Sequence, residues 1–248
     1  MNVNMRVTNK DQIVKIYSGK GGFMIPDIAV KALNKTAEDV KVGLIDEMNR
    51  VFDKPTPYTL NALYIRHAKP NKLMAQVMIK DQRGDRMARQ EKYLLTQVYG
   101  GQRKAKAFET ALMRHGVMPQ GTQAVPTRYA PLNQYGNVSG GFITQILSYF
   151  GAAWSRAAMS GKPNTTAERK AKLAKGSKRK FGLEYFAVKK QTGGLAPGIW
   201  RRLSFGGATR NIQPIFLFVK RPTYRGVLRW EETAERIVDR NWKRNLNV

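Results

Sequence analysis

Cysteine is absent from all 248 residues, which excludes a disulfide framework, a thiol nucleophile and cysteine-ligated zinc together. Histidine occurs only at His67 and His115. Neither has a second plausible ligand nearby in sequence, so no metal site is expected and both are read as surface or structural residues. No apolar run approaches the roughly 18 residues of a membrane span, and the polar start Met1-Asn-Val-Asn-Met-Arg6 lacks the form of a signal peptide. These absences lead us to expect no membrane partner. They place the chain in a cytosol or in a particle assembled there.

Carboxylates are also scarce. Against 44 Lys and Arg stand 17 Asp and Glu, a formal net charge of +27. Self-repulsion on that scale disfavours an isolated compact state, so the charge implies surroundings that supply negative charge, either nucleic acid or acidic protein subunits. The densest stretch is residues 160–180. It carries Lys162, Arg169, Lys170, Lys172, Lys175, Lys178, Arg179 and Lys180 against the single carboxylate Glu168. We read it as a basic linker or loop in mid-chain whose cations contact a polyanion or an acidic partner.

The remaining sequence has the patterning of a folded α+β chain. Val3, Met5 and Val7 alternate with polar residues, then Ile13 follows, which suggests a short hairpin within residues 1–17. Ala29, Leu33, Ala37, Val40, Leu44, Met48 and Val51 recur at steps of four and three, predicting a long amphipathic helix that begins near Pro26 and ends near Phe52. Asp27, Glu38, Asp39, Asp46 and Glu47 are placed on its solvent side. Residues 53–59, with two prolines, read as a rigid turn that bars helix. Strands at 60–68 and 72–80 are expected to pair and pack on the long helix, the second with Leu73, Ala75, Val77 and Ile79 on one face.

Two short helices are predicted over 91–99 and 102–115, the second capped by Gly116 with Pro119 behind it. Residues 117–138 contain three prolines and no periodicity, so they read as an irregular arm. Ser139 is placed as the cap of a further helix. Strands follow at 181–190, 199–205 and 212–220. A last helix from about Glu231 buries Ala234, Ile237, Val238 and Trp242, with acidic start and basic end matching its dipole. The expected organisation is an N-terminal α+β region over 1–159 that includes the irregular arm, the basic linker or loop over 160–180, and C-terminal strands and helix over 181–248 that co-fold with the N-terminal region. The arm and the linker are candidates for segments that order on docking.

No catalytic constellation can be assembled from these residues. Ser18-Gly-Lys-Gly-Gly22 lacks the spacing of a phosphate-binding loop, and Asp81 with Asp85 reads as the punctuation of a glycine turn rather than a cation site. We therefore expect no enzyme and no cofactor. Tyr17, Tyr64, Tyr93, Tyr99, Tyr129, Tyr135, Tyr224 and Trp230, some beside Arg66, Lys92, Arg128, Arg225 and Arg229, offer stacking faces next to cations. The favoured reading is that they fill the core or subunit seams while the cations stay solvated, since no RNP, KH or zinc-finger pattern is present.

A set of ordered segments carries a family resemblance. Val51-Phe-Asp-Lys-Pro-Thr-Pro-Tyr-Thr-Leu-Asn-Ala62, Tyr93-Leu-Leu-Thr-Gln-Val-Tyr-Gly-Gly101, Phe108-Glu-Thr-Ala-Leu112 and Gly116-Val-Met-Pro-Gln-Gly121 come first. Tyr135-Gly-Asn-Val-Ser-Gly140, Gln145-Ile-Leu-Ser-Tyr149, Pro197-Gly-Ile-Trp-Arg201 and Pro214-Ile-Phe-Leu-Phe-Val219 follow. Together they resemble tailed-bacteriophage virion proteins of the minor tail, tail-completion or head-to-tail joining class, with a looser similarity to the minor tail protein Z group. The resemblance implies a non-enzymatic structural subunit that forms a homo-oligomeric ring at the portal vertex and meets portal, adaptor or tail proteins. In such a ring the positive charge would be screened either by double-stranded genome DNA or by acidic portal and tail subunits. The alternative reading is a sequence-nonspecific nucleic-acid-binding protein.

Overall fold

The computed structural model describes residues 2–6, 25–80, 90–153, 164–177, 180–205 and 208–246. The architecture is mixed α+β, with a long N-terminal helix, antiparallel sheets and a C-terminal helix. In the first half of the chain the elements are β1 (Asn2–Arg6), α1 (Ile25–Val51), α2 (Pro57–Leu60), β2 (Leu63–Arg66), β3 (Met74–Ile79), α3 (Gln90–Tyr99), β4 (Gly101–Gln102) and α4 (Ala107–Arg114). There follow β5 (Thr122–Pro126), α5 (Gly140–Tyr149), α6 (Ala167–Lys175), β6 (Gly182–Val188), β7 (Gly198–Phe205), β8 (Ala208–Lys220), β9 (Thr223–Tyr224) and α7 (Trp230–Leu246).

These elements form two compact units, one of Met1–Gln102 with Thr223–Val248, the other of Arg103–Pro222. That division differs from the boundaries read from sequence. Residues 160–180 fall within the second unit, and residues 181–248 divide between the two. β6, β7 and β8 complete a sheet with β5, whereas α7 packs on α1. Non-local pairing sets the division, and no linker-like stretch marks its boundaries in the sequence.

In the first unit, α1 buries Leu33, Ala37, Val40, Leu44 and Met48 in one cluster with Ala75, Val77 and Ile79 of β3 and with Ala234 and Ile237 of α7. The three-and-four spacing is what puts those side chains on one stripe. β3 is the central strand of the order β1-β3-β2 and alternates buried with half-buried residues. β1 pairs antiparallel with β3, Val3 opposite Val77; residues 7–24, on which the rest of the expected hairpin falls, lie outside the described residues, as do Asp81 and Asp85. The turn at 53–59 is also different from expectation. Pro57 opens the one-turn helix α2, and the Thr56 hydroxyl accepts from the Thr59 N–H at 3.2 Å. A proline in the first turn costs no intrahelical bond, so the residue that bars a helix interior can start one.

Two acids expected in solvent are instead engaged. Glu47 is buried and accepts two bonds from Arg50, at 2.6 and 2.9 Å. Asp39 accepts from the Asn241 and Asn245 side-chain amides of α7, each at 2.9 Å, and Asn245 also donates to Thr36. Thr36, Asn241 and Asn245 are buried, so this is a polar seam inside the α1–α7 contact. Asp39→Ala would take the acceptor from the buried Asn241 amide and leave Asn245 with Thr36 alone, and we expect a loss of about 1–2 kcal/mol in urea unfolding. An unchanged midpoint would show that water replaces the carboxylate at no cost.

In the second unit, the sheet order is β5-β8-β7-β6, all antiparallel. Leu112 of α4 and Ile146 and Leu147 of α5 pack with Tyr185, Ile199, Phe216 and Phe218 of the sheet. The predicted caps hold. The Ser139 hydroxyl accepts from Phe142 N–H at 3.3 Å, and Gly116, with φ of 63°, follows α4 while Val117 N–H closes on Leu112 at 2.9 Å. The irregular arm expected over 117–138 contains β5, whose residues pair with β8 from Thr122 opposite Lys220 to Pro126 opposite Phe216. Five residues ending in proline give too short a pattern to read without the partner strand.

Candidate polyanion-facing surface

Charge divides unequally between the two units. Residues 103–222 hold 21 Lys and Arg against three carboxylates, a net +18, while the remaining residues hold 23 against 14, a net +9. The three acids of the basic unit are Glu109, Glu168 and Glu184, and their placement decides how much cationic surface is left.

Glu109 is fully buried in α4. Both its oxygens accept from the Arg103 guanidinium, at 2.7 and 2.8 Å, and it accepts the Lys106 backbone N–H at 2.6 Å. It further accepts the Ala124 N–H of β5 at 2.9 Å. Burial pushes this carboxyl up, but the Arg103 hydrogen bonds and the two backbone donors outweigh it and hold it below the ordinary carboxylate range. Glu184 of β6 stands directly opposite Arg202 of β7 and pairs with it at 2.8 Å. Glu168 lies in the first turn of α6, where hydrogen bonds from its own backbone N–H and from Thr166 hold its carboxyl low. Two of the three acids are therefore spent on arginines, and the third sits at the helix end that favours negative charge.

The segment read as a linker is the helix α6. Thr166 caps it, its hydroxyl accepting from Arg169 N–H at 3.3 Å, and Gly176, with φ of 66°, ends it. Ala, Leu, Lys, Arg and Glu all favour helix, so a run conspicuous for charge also had the propensity to fold. This corrects the expectation of a linker or loop. No side chain of α6 is buried; the helix rides on the surface and is fastened at both ends. At its start, Thr165 N–H donates to Ser148 O at 2.9 Å, and Asn164 donates to Gly151 O and accepts from Ala153 N–H. In its first half, the Lys170 ammonium lies 4.9 Å from the centre of the Tyr149 ring. At its finish, Ser204 of β7 donates to Ala174 O at 2.8 Å. Gly182 of β6 lies so close beneath that a Cβ there would overlap Ala174 O.

Of the eight cations singled out in sequence, Arg169, Lys170, Lys172 and Lys175 lie on this helix and Lys180 closes the turn behind it, pairing through its backbone with Ser177. Lys162, Lys178 and Arg179 lie outside the described residues. Arg169, Lys172, Lys175 and Lys180 are exposed, and among the described residues no carboxylate forms an ion pair with them. Lys170 is the exception, half-covered and committed to Tyr149. His67 and His115 are both exposed. Among the described residues no group of three His, Asp or Glu stands close enough to hold a metal ion, and no helix is long and apolar enough to cross a membrane. The aromatics singled out in sequence do not form a platform. Trp230 is buried, Tyr64, Tyr93, Tyr129 and Tyr135 are half-buried, and Tyr99 and Tyr224 are exposed; Tyr17 lies outside the described residues.

Fold and surface together define a two-unit α+β protein in which one unit carries most of the net positive charge and includes a basic helix on its surface. No protein-family model, curated protein or solved structure matches the chain.

Proposed function

We propose that this chain is a non-enzymatic structural protein of the head-to-tail junction of a tailed bacteriophage, acting in tail completion as one subunit of a ring. Its resemblance to that class supplies the setting. The observation that carries the reading is the division of charge: +18 on one unit and +9 on the other. A junction protein meets packaged DNA on one side and protein on the other, and a chain with one strongly cationic unit and one better-balanced unit suits both. Portal, adaptor or tail subunits are the protein partners in this reading, and the virion is its location. Electron microscopy of particles made without this gene tests it. Heads without attached tails, filled or leaking, are the expected result; normal tailed particles would remove the junction role.

The cationic unit also favours a second reading, a sequence-nonspecific nucleic-acid-binding protein that needs no ring. Salt separates the two. A protein held only by phosphate contacts loses its partner steeply between low and moderate salt, whereas a docked ring subunit keeps its protein contacts and stays with the particle.

A further inference from the structure

We infer that the outer face of α6, with the Lys180 turn behind it, is a docking strip for the phosphate backbone of duplex DNA. This rests on the polyanion contact in the reading above and assigns it to particular side chains. Arg169, Lys172 and Lys175 recur every third residue on a helix with no buried side chain. At about 1.5 Å rise per residue they span roughly 9 Å, and with about 3.4 Å of axis per phosphate on each strand that reaches two to three phosphates. Lys180 extends the strip by one cation. Because both ends of α6 are fastened to the sheet unit, these charges are held in place before a ligand arrives, which lowers the ordering cost of binding.

Phosphate, rather than base, is the group this strip fits. Three of its four cations are lysines, which act as point charges without the planar fork that reads bases. Among the described residues of this unit, three aromatic rings are covered by cations: Tyr149 by Lys170, Tyr129 by Arg128 and Phe186 by Arg202, at 4.9, 5.0 and 5.2 Å. The helix start is also occupied, since Arg169 N–H is bonded to Thr166. Bases therefore find no stacking platform on the strip, and the contact is by side-chain charge alone. The exposed aromatic exception is the pair Phe181 and Phe205, 58% and 43% exposed with ring centres 5.4 Å apart. They lie at the end of the β6–β7 ladder and provide an internal comparison.

The experiment uses the full chain with a random-sequence duplex of about 30 base pairs and a dT strand of equal length, titrated over a range of salt. The test variant is Arg169→Gln, Lys172→Gln, Lys175→Gln and Lys180→Gln combined. The matched variant is Lys31→Gln, Lys35→Gln, Lys69→Gln and Lys72→Gln, exposed lysines of the other unit, which removes the same charge. With unchanged circular dichroism, the test variant should bind duplex roughly 100-fold more weakly at low salt, with a log–log salt slope shallower by about 3. The matched variant should stay within about threefold of the parent. Equal losses in both variants would overturn the strip in favour of a field of the whole chain. No loss in the test variant would place duplex contact elsewhere, and tighter binding of the dT strand that Phe181→Ala with Phe205→Ala abolishes would assign the site to base stacking. Failure of the full chain to bind duplex at all would overturn the inference and leave the junction reading to the particle experiment.

Discussion

Glu109→Ala should destabilise the basic unit by roughly 3–5 kcal/mol, because it removes the carboxylate that neutralises a largely buried guanidinium and accepts from two backbone N–H groups. Arg103 is 20% exposed and Glu109 not at all, so solvent screens little of the loss. The carboxylate bonds the chain at three separate places: the 103–106 segment, the start of α4 and the outer edge of β5. An edge strand with an N–H satisfied in this way is held in register by one side chain. Urea unfolding should show the loss, and exchange of the Ala124 amide should accelerate most among the β5 amides. A shift under about 1 kcal/mol, with the Ala124 amide still protected, would mean that water takes over the carboxylate's role.

The pH dependence has a definite sign. The folded-state value of Glu109 lies below the ordinary one, and an unfolded Glu titrates near about 4.3. Its contribution is therefore complete above that value and disappears as pH falls through the lower, folded value. The gap between parent and Glu109→Ala should be constant from about pH 6 to 8 and narrow in acid below about pH 4. A gap that widened in acid would reverse the assigned shift.

Elements whose signal lies within a dozen residues were legible in the sequence. The stripe of α1, the alternation of β3 and the Ser139 cap of α5 each depend on neighbours along the chain, and periodicity reports such neighbours directly. β5 was not legible because its partner β8 lies about 90 residues away and its own five residues include only one full alternation. The two-unit division was hidden for the same reason, since α7 crosses back to α1 from the far end of the chain. The candidate surface was half legible. Its cations are plain in the sequence, but a run of like charge reads as a linker unless Thr166, the helix-favouring run and Gly176 are weighed as the marks of a short capped helix. No local pattern marks Glu109; the signal for it is that residues 103–222 contain only three carboxylates, which makes the location of each one informative.

Gly182→Val tests whether α6 is held or merely present. The added carbons would overlap the backbone oxygen of Ala174 and approach the Ser204 hydroxyl, and of these only the hydroxyl can rotate away. Overpacking against backbone costs about 1–3 kcal/mol or more, and the easiest relief is to lift the end of α6 from β6, because no α6 side chain is buried to resist it. Each 1.4 kcal/mol of opening is a factor of about ten in the open population. Trypsin cuts mapped by mass spectrometry to Arg169, Lys170, Lys172 and Lys175 should therefore appear at least tenfold faster than in the parent, while cuts elsewhere keep their rates. Ser204→Ala removes only the bond to Ala174 O and should give a smaller acceleration in the same place. Cleavage of Gly182→Val at the parental rate would mean that α6 does not depend on its seat. A basic segment that is equally open in both proteins would behave as the linker its composition suggested, and the preorganisation of its charges would have to be given up.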